Sequence, residues 1–89
     1  MFNFKARRHL LVDEKNMSNV LVVLNKHKIR CVSIGNCGWA DFTDRWFIFF
    51  TASDKNYSSV MKDLTKIGTI NIDVRPGGQI DLYFTKEGF

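Results

Sequence analysis

The stretch "RWFIFFTA", residues 45–52, decides the fold, because its five apolar side chains in succession have to be divided between two faces of a sheet. Successive residues of a strand point to opposite faces. Arg45, Phe47, Phe49 and Thr51 therefore share one side, and Trp46, Ile48, Phe50 and Ala52 share the other. The second set has no polar member and belongs under a layer of helices. The first set is polar at both ends, so it belongs on the opposite, open face. Two neighbouring phenylalanines on a water-facing sheet call for a cover, since contiguous exposed apolar patches tend to mark interaction sites.

Working outward, Tyr57, Val60, Met61, Leu64 and Ile67 recur at the spacing of one helical face. Ser53 or Asp54 is placed to cap the first turn, and Gly68 to end the helix in a left-handed conformation. A second helix is predicted over residues 16–27, with Met17, Val20, Leu21 and Leu24 inward. Its "VLVVL" core is β-branched enough to suit a buried strand as well. Beyond Gly68, Ile70, Ile72 and Val74 alternate with polar residues, as do Ile80, Leu82 and Phe84. The intervening "PGG" marks a hairpin turn. Strands are also predicted within residues 2–12 and over residues 30–34 and 45–52.

The order strand, helix, strand, strand, helix, strand, with one further strand from the final hairpin, predicts one α+β domain over residues 1–89. Right-handed crossovers place both helices on one face of an antiparallel sheet, giving a two-layer sandwich. Trp39 and Phe42, in the loop before residue 45, are expected to extend the aromatic patch on the other face.

This order of elements resembles the ferredoxin-like superfold. Within it, "VLVVLNKHKI…WFIFF…VMKDLTKIG" is similar to the rhythm of ACT regulatory domains, a resemblance that implies a homodimer paired through its sheets and sensing a small molecule. "VDEKNMS" lacks the glycine turn those domains carry before the first helix. The Arg45, Phe47, Phe49 alternation resembles the third strand of RNA-recognition domains, which implies base stacking on the open face. Here Trp46 stands in place of that family's glycine and Ala52 in place of an aromatic. Phe2 or Phe4 would have to supply the aromatic of the first strand.

The 89 residues carry 13 basic and 9 acidic side chains, a formal charge of +4. Seven of the basic ones (Lys5, Arg7, Arg8, Lys15, Lys26, Lys28 and Arg30) lie in residues 1–30 against Asp13 and Glu14. That asymmetry suits an acidic partner. Apolar runs of five residues are far below the roughly 20 that cross a bilayer. With no apolar leader at the amino end, a cytoplasmic protein is expected. Cys31 and Cys37 are too far apart on an extended segment for a disulfide.

No phosphate-binding loop, zinc pattern or nucleophile elbow occurs, so neither catalysis nor a metal or cofactor is expected. The expectation is a small non-catalytic regulator or inhibitor, of the kind a phage or mobile element encodes. Trp39, Phe42, Arg45, Phe47 and Phe49 would contact a protein partner, with Arg7 and Arg8 steering it. Single-stranded nucleic acid and a second copy of the chain remain open as alternatives.

Overall fold

A computed structural model describes residues 4–38, 44–75 and 77–87. Its elements are β1 (Lys5–Asp13), a 3-10 turn (Glu14–Asn16), α1 (Met17–Lys26), β2 (Cys31–Asn36), β3 (Arg45–Ser53), α2 (Asp54–Ile67), β4 (Thr69–Val74) and β5 (Ile80–Thr85). The "VLVVL" segment is helical. Val20, Val23 and Leu24 are buried while Val22 faces solvent, a division that a 3.6-residue period produces. The chain leaves α1 through Lys28, whose φ of 57° is the left-handed conformation more usual for glycine.

Both helices pack on one face of the sheet. Leu10 and Val12 of β1, Ile48, Phe50 and Ala52 of β3 and Phe84 of β5 form a single buried cluster with Val20, Val23 and Leu24 of α1 and Val60 and Leu64 of α2. The parity read from residues 45–52 therefore holds for Ile48, Phe50 and Ala52; Trp46, at the end of the strand, is only half-buried. α1 and α2 are also tied together at the surface. Asp63 accepts from Lys26 at 3.0 Å and contacts His27 Nε2 at 2.8 Å, and these contacts, the one to His27 above all, hold its carboxyl down at about 2.

The sheet is mixed, which corrects the fully antiparallel expectation. Its order is β2-β3-β1-β5-β4, with β1 antiparallel to β3 and parallel to β5. The strand that follows α2 would complete an antiparallel sheet if it lay beside β1. Instead, the second strand of the final hairpin occupies that slot, and a hairpin reverses direction. β5 takes the inner place because its side chains fill it: Phe84 is fully buried in the core, and Leu11 and Val12 face Tyr83 and Phe84. β4 is left as the outer edge.

α2 begins as expected, with the Ser53 hydroxyl accepting from the Asn56 amide at 3.2 Å. Its end differs. Gly68 has φ −166° and ψ −156°, an extended conformation open to any residue, so the left-handed cap is not formed. Glycine is needed there for a different reason. A Cβ at Gly68 would lie 2.6 Å from the Thr85 carbonyl oxygen and 2.7 Å from Phe84 Cε1. The helix thus passes into β4 in direct contact with the backbone and ring of β5.

Candidate functional site

On the face away from the helices, alternation along β1 sets out Lys5, Arg7, His9, Leu11 and Asp13. Along β3 it sets out Arg45, Phe47, Phe49 and Thr51. The pairing is in register, so that Leu11 faces Phe47 and His9 faces Phe49. The three rings form one group: His9 to Phe47 is 5.7 Å between centroids, Phe47 to Phe49 5.9 Å and His9 to Phe49 6.2 Å. Such separations lie within the range in which ring pairs attract one another beyond simple burial.

The two phenylalanines are not equivalent, although both lie on this face. Phe47 is only 9% exposed, and Leu11 beside it is fully buried. Phe49 is half-buried, with its neighbours Arg7 and His9 exposed. The expectation of two uncovered rings is therefore met at Phe49 alone. Phe47 belongs to a second, smaller interior layer on this side of the sheet.

Beside that layer, on the same face of the sheet, lies a charged cluster. Asp81 of β5 has a fully buried side chain; His9 Nε2 lies 3.0 Å from its Oδ1 and Arg75 Nε 2.7 Å from its Oδ2. The Arg75 contact is an ion pair whose N–H does not point along a hydrogen-bond line. The same guanidinium sits 5.5 Å from the Phe47 centroid, so it covers the ring while neutralising the carboxylate. Asp81 is buried because β5 is an inner strand; at an edge it would reach water.

Further along the same face, Asp13 accepts from the Tyr83 hydroxyl in a short hydrogen bond and from Thr85 Oγ1 at 3.3 Å. Arg45 bridges this group, 4.0 Å from Asp13 and 3.7 Å from Asp73, with its guanidinium 4.3 Å over the Tyr83 ring. Burial, reinforced by the bond to Asp13, pushes the Tyr83 phenol up to about 12. An acid whose folded value is raised holds its proton more tightly when folded. The stabilisation is whole below the unfolded value of about 10 and is lost as pH climbs from there to about 12. Tyr83→Phe is expected to remove this alkaline dependence, read as the slope of chemical-denaturation midpoint against pH.

The remaining predicted residues occupy different places. Arg7 is exposed on the open face and has no ion-pair partner among the described residues. Arg8 is not beside it on this face. As the next residue in the strand it points to the helix side. There its Nη2 meets Asp54 at 2.5 Å, its Nε donates to the Ala52 carbonyl at 3.4 Å and its guanidinium lies 4.6 Å over Tyr57. Arg45 holds the sheet's own carboxylates together. Trp39 and Phe42 lie outside the described residues.

His9, Val32 and Ser33, around Phe49, lie outside the expected contact set. His9 was accessible to the alternation rule, being two positions from Arg7. Val32 and Ser33 were not, because an irregularity in the β2–β3 register between Cys31 and Ser33 breaks the alternation. Together Arg7, Val32, Ser33 and Phe49 line a shallow concavity of about 240 Å³ on the open face. Its lining combines a cation without an ion-pair partner among the described residues, a ring, a hydroxyl and an exposed aliphatic side chain.

Cys31 and Cys37 are not joined in a disulfide, and burial pushes the Cys31 thiol up. Among the described residues no cluster of three His, Cys, Asp or Glu side chains is arranged to hold a metal ion, and no helix is long and apolar enough to cross a membrane. No protein-family model matches the chain, and no curated protein or solved structure is significantly similar to it.

Proposed function

We propose that this chain is a non-catalytic binding protein, a small regulator or inhibitor that engages another protein on the open face of its sheet. The observation that carries this reading is the exposed concavity around Phe49, lined also by Arg7, which has no ion-pair partner among the described residues. Aromatic and arginine side chains anchor protein contacts because a ring buries a large area at low entropic cost and a planar guanidinium adds several directed hydrogen-bond donors. The ring contacts of Phe49 with Phe47 and His9 support this role, since a ring packed against neighbours loses little freedom when a partner covers it. Phe47 and Arg45 are then supporting residues.

A single-stranded nucleic acid is the second reading, favoured by one particular feature. His9 stands directly opposite Phe49, placing a ring on the first strand where the residue pattern alone offered only Phe2 or Phe4. Two rings with Arg7 and Lys5 beside them suit stacked bases and their phosphates.

The test compares wild type with Phe49→Ala and Arg7→Glu by affinity capture from the native cell, with and without nuclease. A nuclease-resistant protein bound by wild type and weakened about tenfold to a hundredfold in each variant is the expected result. Circular dichroism should be unchanged, since neither side chain is core. Recovery only of nucleic acid, with affinity falling steeply as salt rises, would replace the first reading by the second.

A further inference from the structure

The two edges of the sheet are treated differently. β2, at one end, carries the register irregularity between Cys31 and Ser33, a distortion that discourages another strand from pairing. β4, at the other end, pairs with β5 without interruption from Thr69 to Val74 and has no lysine or proline within it. It is a regular edge of the kind that recruits a further strand.

Which of its backbone groups are available is set by the hairpin. The Arg75 amide donates to the Gln79 carbonyl at 2.8 Å, in the register that sets Val74 against Ile80. In an antiparallel pair, bonded and non-bonded positions alternate. Arg75, Asp73, Asn71 and Thr69 therefore turn their amides and carbonyls toward β5, while Ile70, Ile72 and Val74 turn theirs to the free edge. The same three residues direct their side chains to the helix side of the sheet. There α2 does not reach the hairpin's far end: Ile72 is 70% exposed, and Val74 and its cross-strand neighbour Ile80 are each 63% exposed.

We infer that the occupant of this edge is a second copy of the chain, joined β4 to β4 in antiparallel fashion with Ile72 on the two-fold axis. The strand is complementary to itself in that register alone. Ile72 faces its own copy, and Ile70 faces the partner's Val74 on either side. All the outward backbone groups are then used, as three facing pairs exchanging two hydrogen bonds each. On the other face Asp73 stands opposite the partner's Asn71. Moving the axis to Asp73 would set two carboxylates against each other and leave Ile70 over. Moving it to Asn71 would strand Val74. Opposed like charges are destabilising in a cross-strand pair, so charge and hydrogen bonding choose the same register. The joined edges also bring the two exposed Ile72, Val74 and Ile80 patches together. This inference is independent of what binds around Phe49, which lies near the opposite edge.

The experiment uses the purified chain. Sedimentation equilibrium should show a dimer, and Ile72→Lys, at an exposed position that leaves the fold intact, should weaken it by roughly a hundredfold, the loss expected of a central anchor. In a Cys31→Ser, Cys37→Ser background, Ile72→Cys should form an intermolecular disulfide on mild oxidation, because a hydrogen-bonded pair on the axis sets its Cα atoms about 5.5 Å apart. Lys55→Cys on α2 should not. A chain that sediments as a monomer at every concentration overturns the inference. So does a dimer whose affinity is untouched by Ile72→Lys and which Ile72→Cys fails to cross-link.

Discussion

Gly68→Ala is expected to destabilise the protein by about 3 kcal/mol, a large overpacking cost, seen as a lower midpoint in urea with little change in slope. The added methyl would sit 2.6 Å from the Thr85 carbonyl oxygen and 2.7 and 2.8 Å from two atoms of the Phe84 ring. Neither neighbour can give way easily. Thr85 contributes backbone to the β4–β5 ladder, where it pairs with Thr69, and Phe84 is fully buried in the core. The backbone conformation at Gly68 is not at issue, because its φ of −166° suits alanine as well as glycine. That separates two explanations of the same glycine. If a left-handed cap were the cause, Gly68→Asn would be better tolerated than alanine. Steric exclusion predicts that asparagine, being larger, is worse. Paired Phe84→Leu should recover part of the loss, since it withdraws the ring atoms nearest the new methyl.

Arg75→Met should cost about 3 kcal/mol, the lower end of the range for breaking a buried pair on one side only. Asp81 would keep a fully buried carboxylate with His9 as its remaining partner, and imidazole carries charge only when protonated. The reverse change carries the stronger message. Arg75→Met combined with Asp81→Val removes both charges and is expected to be markedly more stable than Arg75→Met alone, because replacing a buried ion pair by apolar groups is often neutral. A double-mutant cycle in urea reads the coupling directly. If Arg75→Met proves as stable as wild type, Asp81 is not dependent on it, and the charged cluster beside Phe47 is held by other contacts. The result bears on function too. Arg75 lies over Phe47, and Phe47 supports Phe49, so Arg75→Met should weaken binding at the open face as well as the fold.

Much of the architecture is legible in residues 45–52 and the segments around them. Alternation assigns Ile48, Phe50 and Ala52 to the helix side and Phe47 and Phe49 to the other. The 3.6-residue recurrence from Tyr57 to Ile67 marks α2, and "PGG" marks the final hairpin. These signals are local: each depends on side chains a few positions apart on one element, so the chain need not be folded in thought to read them. The same rule, applied to β1, separates Arg7 from Arg8 and puts His9 on the face of Arg7; that His9 then stands beside Phe49 comes from the register of β1 on β3. The facing of these residues is readable from the sequence; their neighbours across the strands are not.

Chain order and alternation thus determined that this protein is an α+β chain with its helices on one side of the sheet, and that Phe49 lies on the other. The tertiary structure alone decided that β5 rather than β4 stands beside β1, and from that choice come the parallel pairing, the burial of Asp81 and Phe84, the contact that requires Gly68, and the free regular edge of β4. The reason is physical. Both hairpin strands have the same alternating pattern, so local sequence does not distinguish inner from outer. The distinction arises from contacts between residues some 70 positions apart, such as Tyr83 with Asp13 and His9 with Asp81.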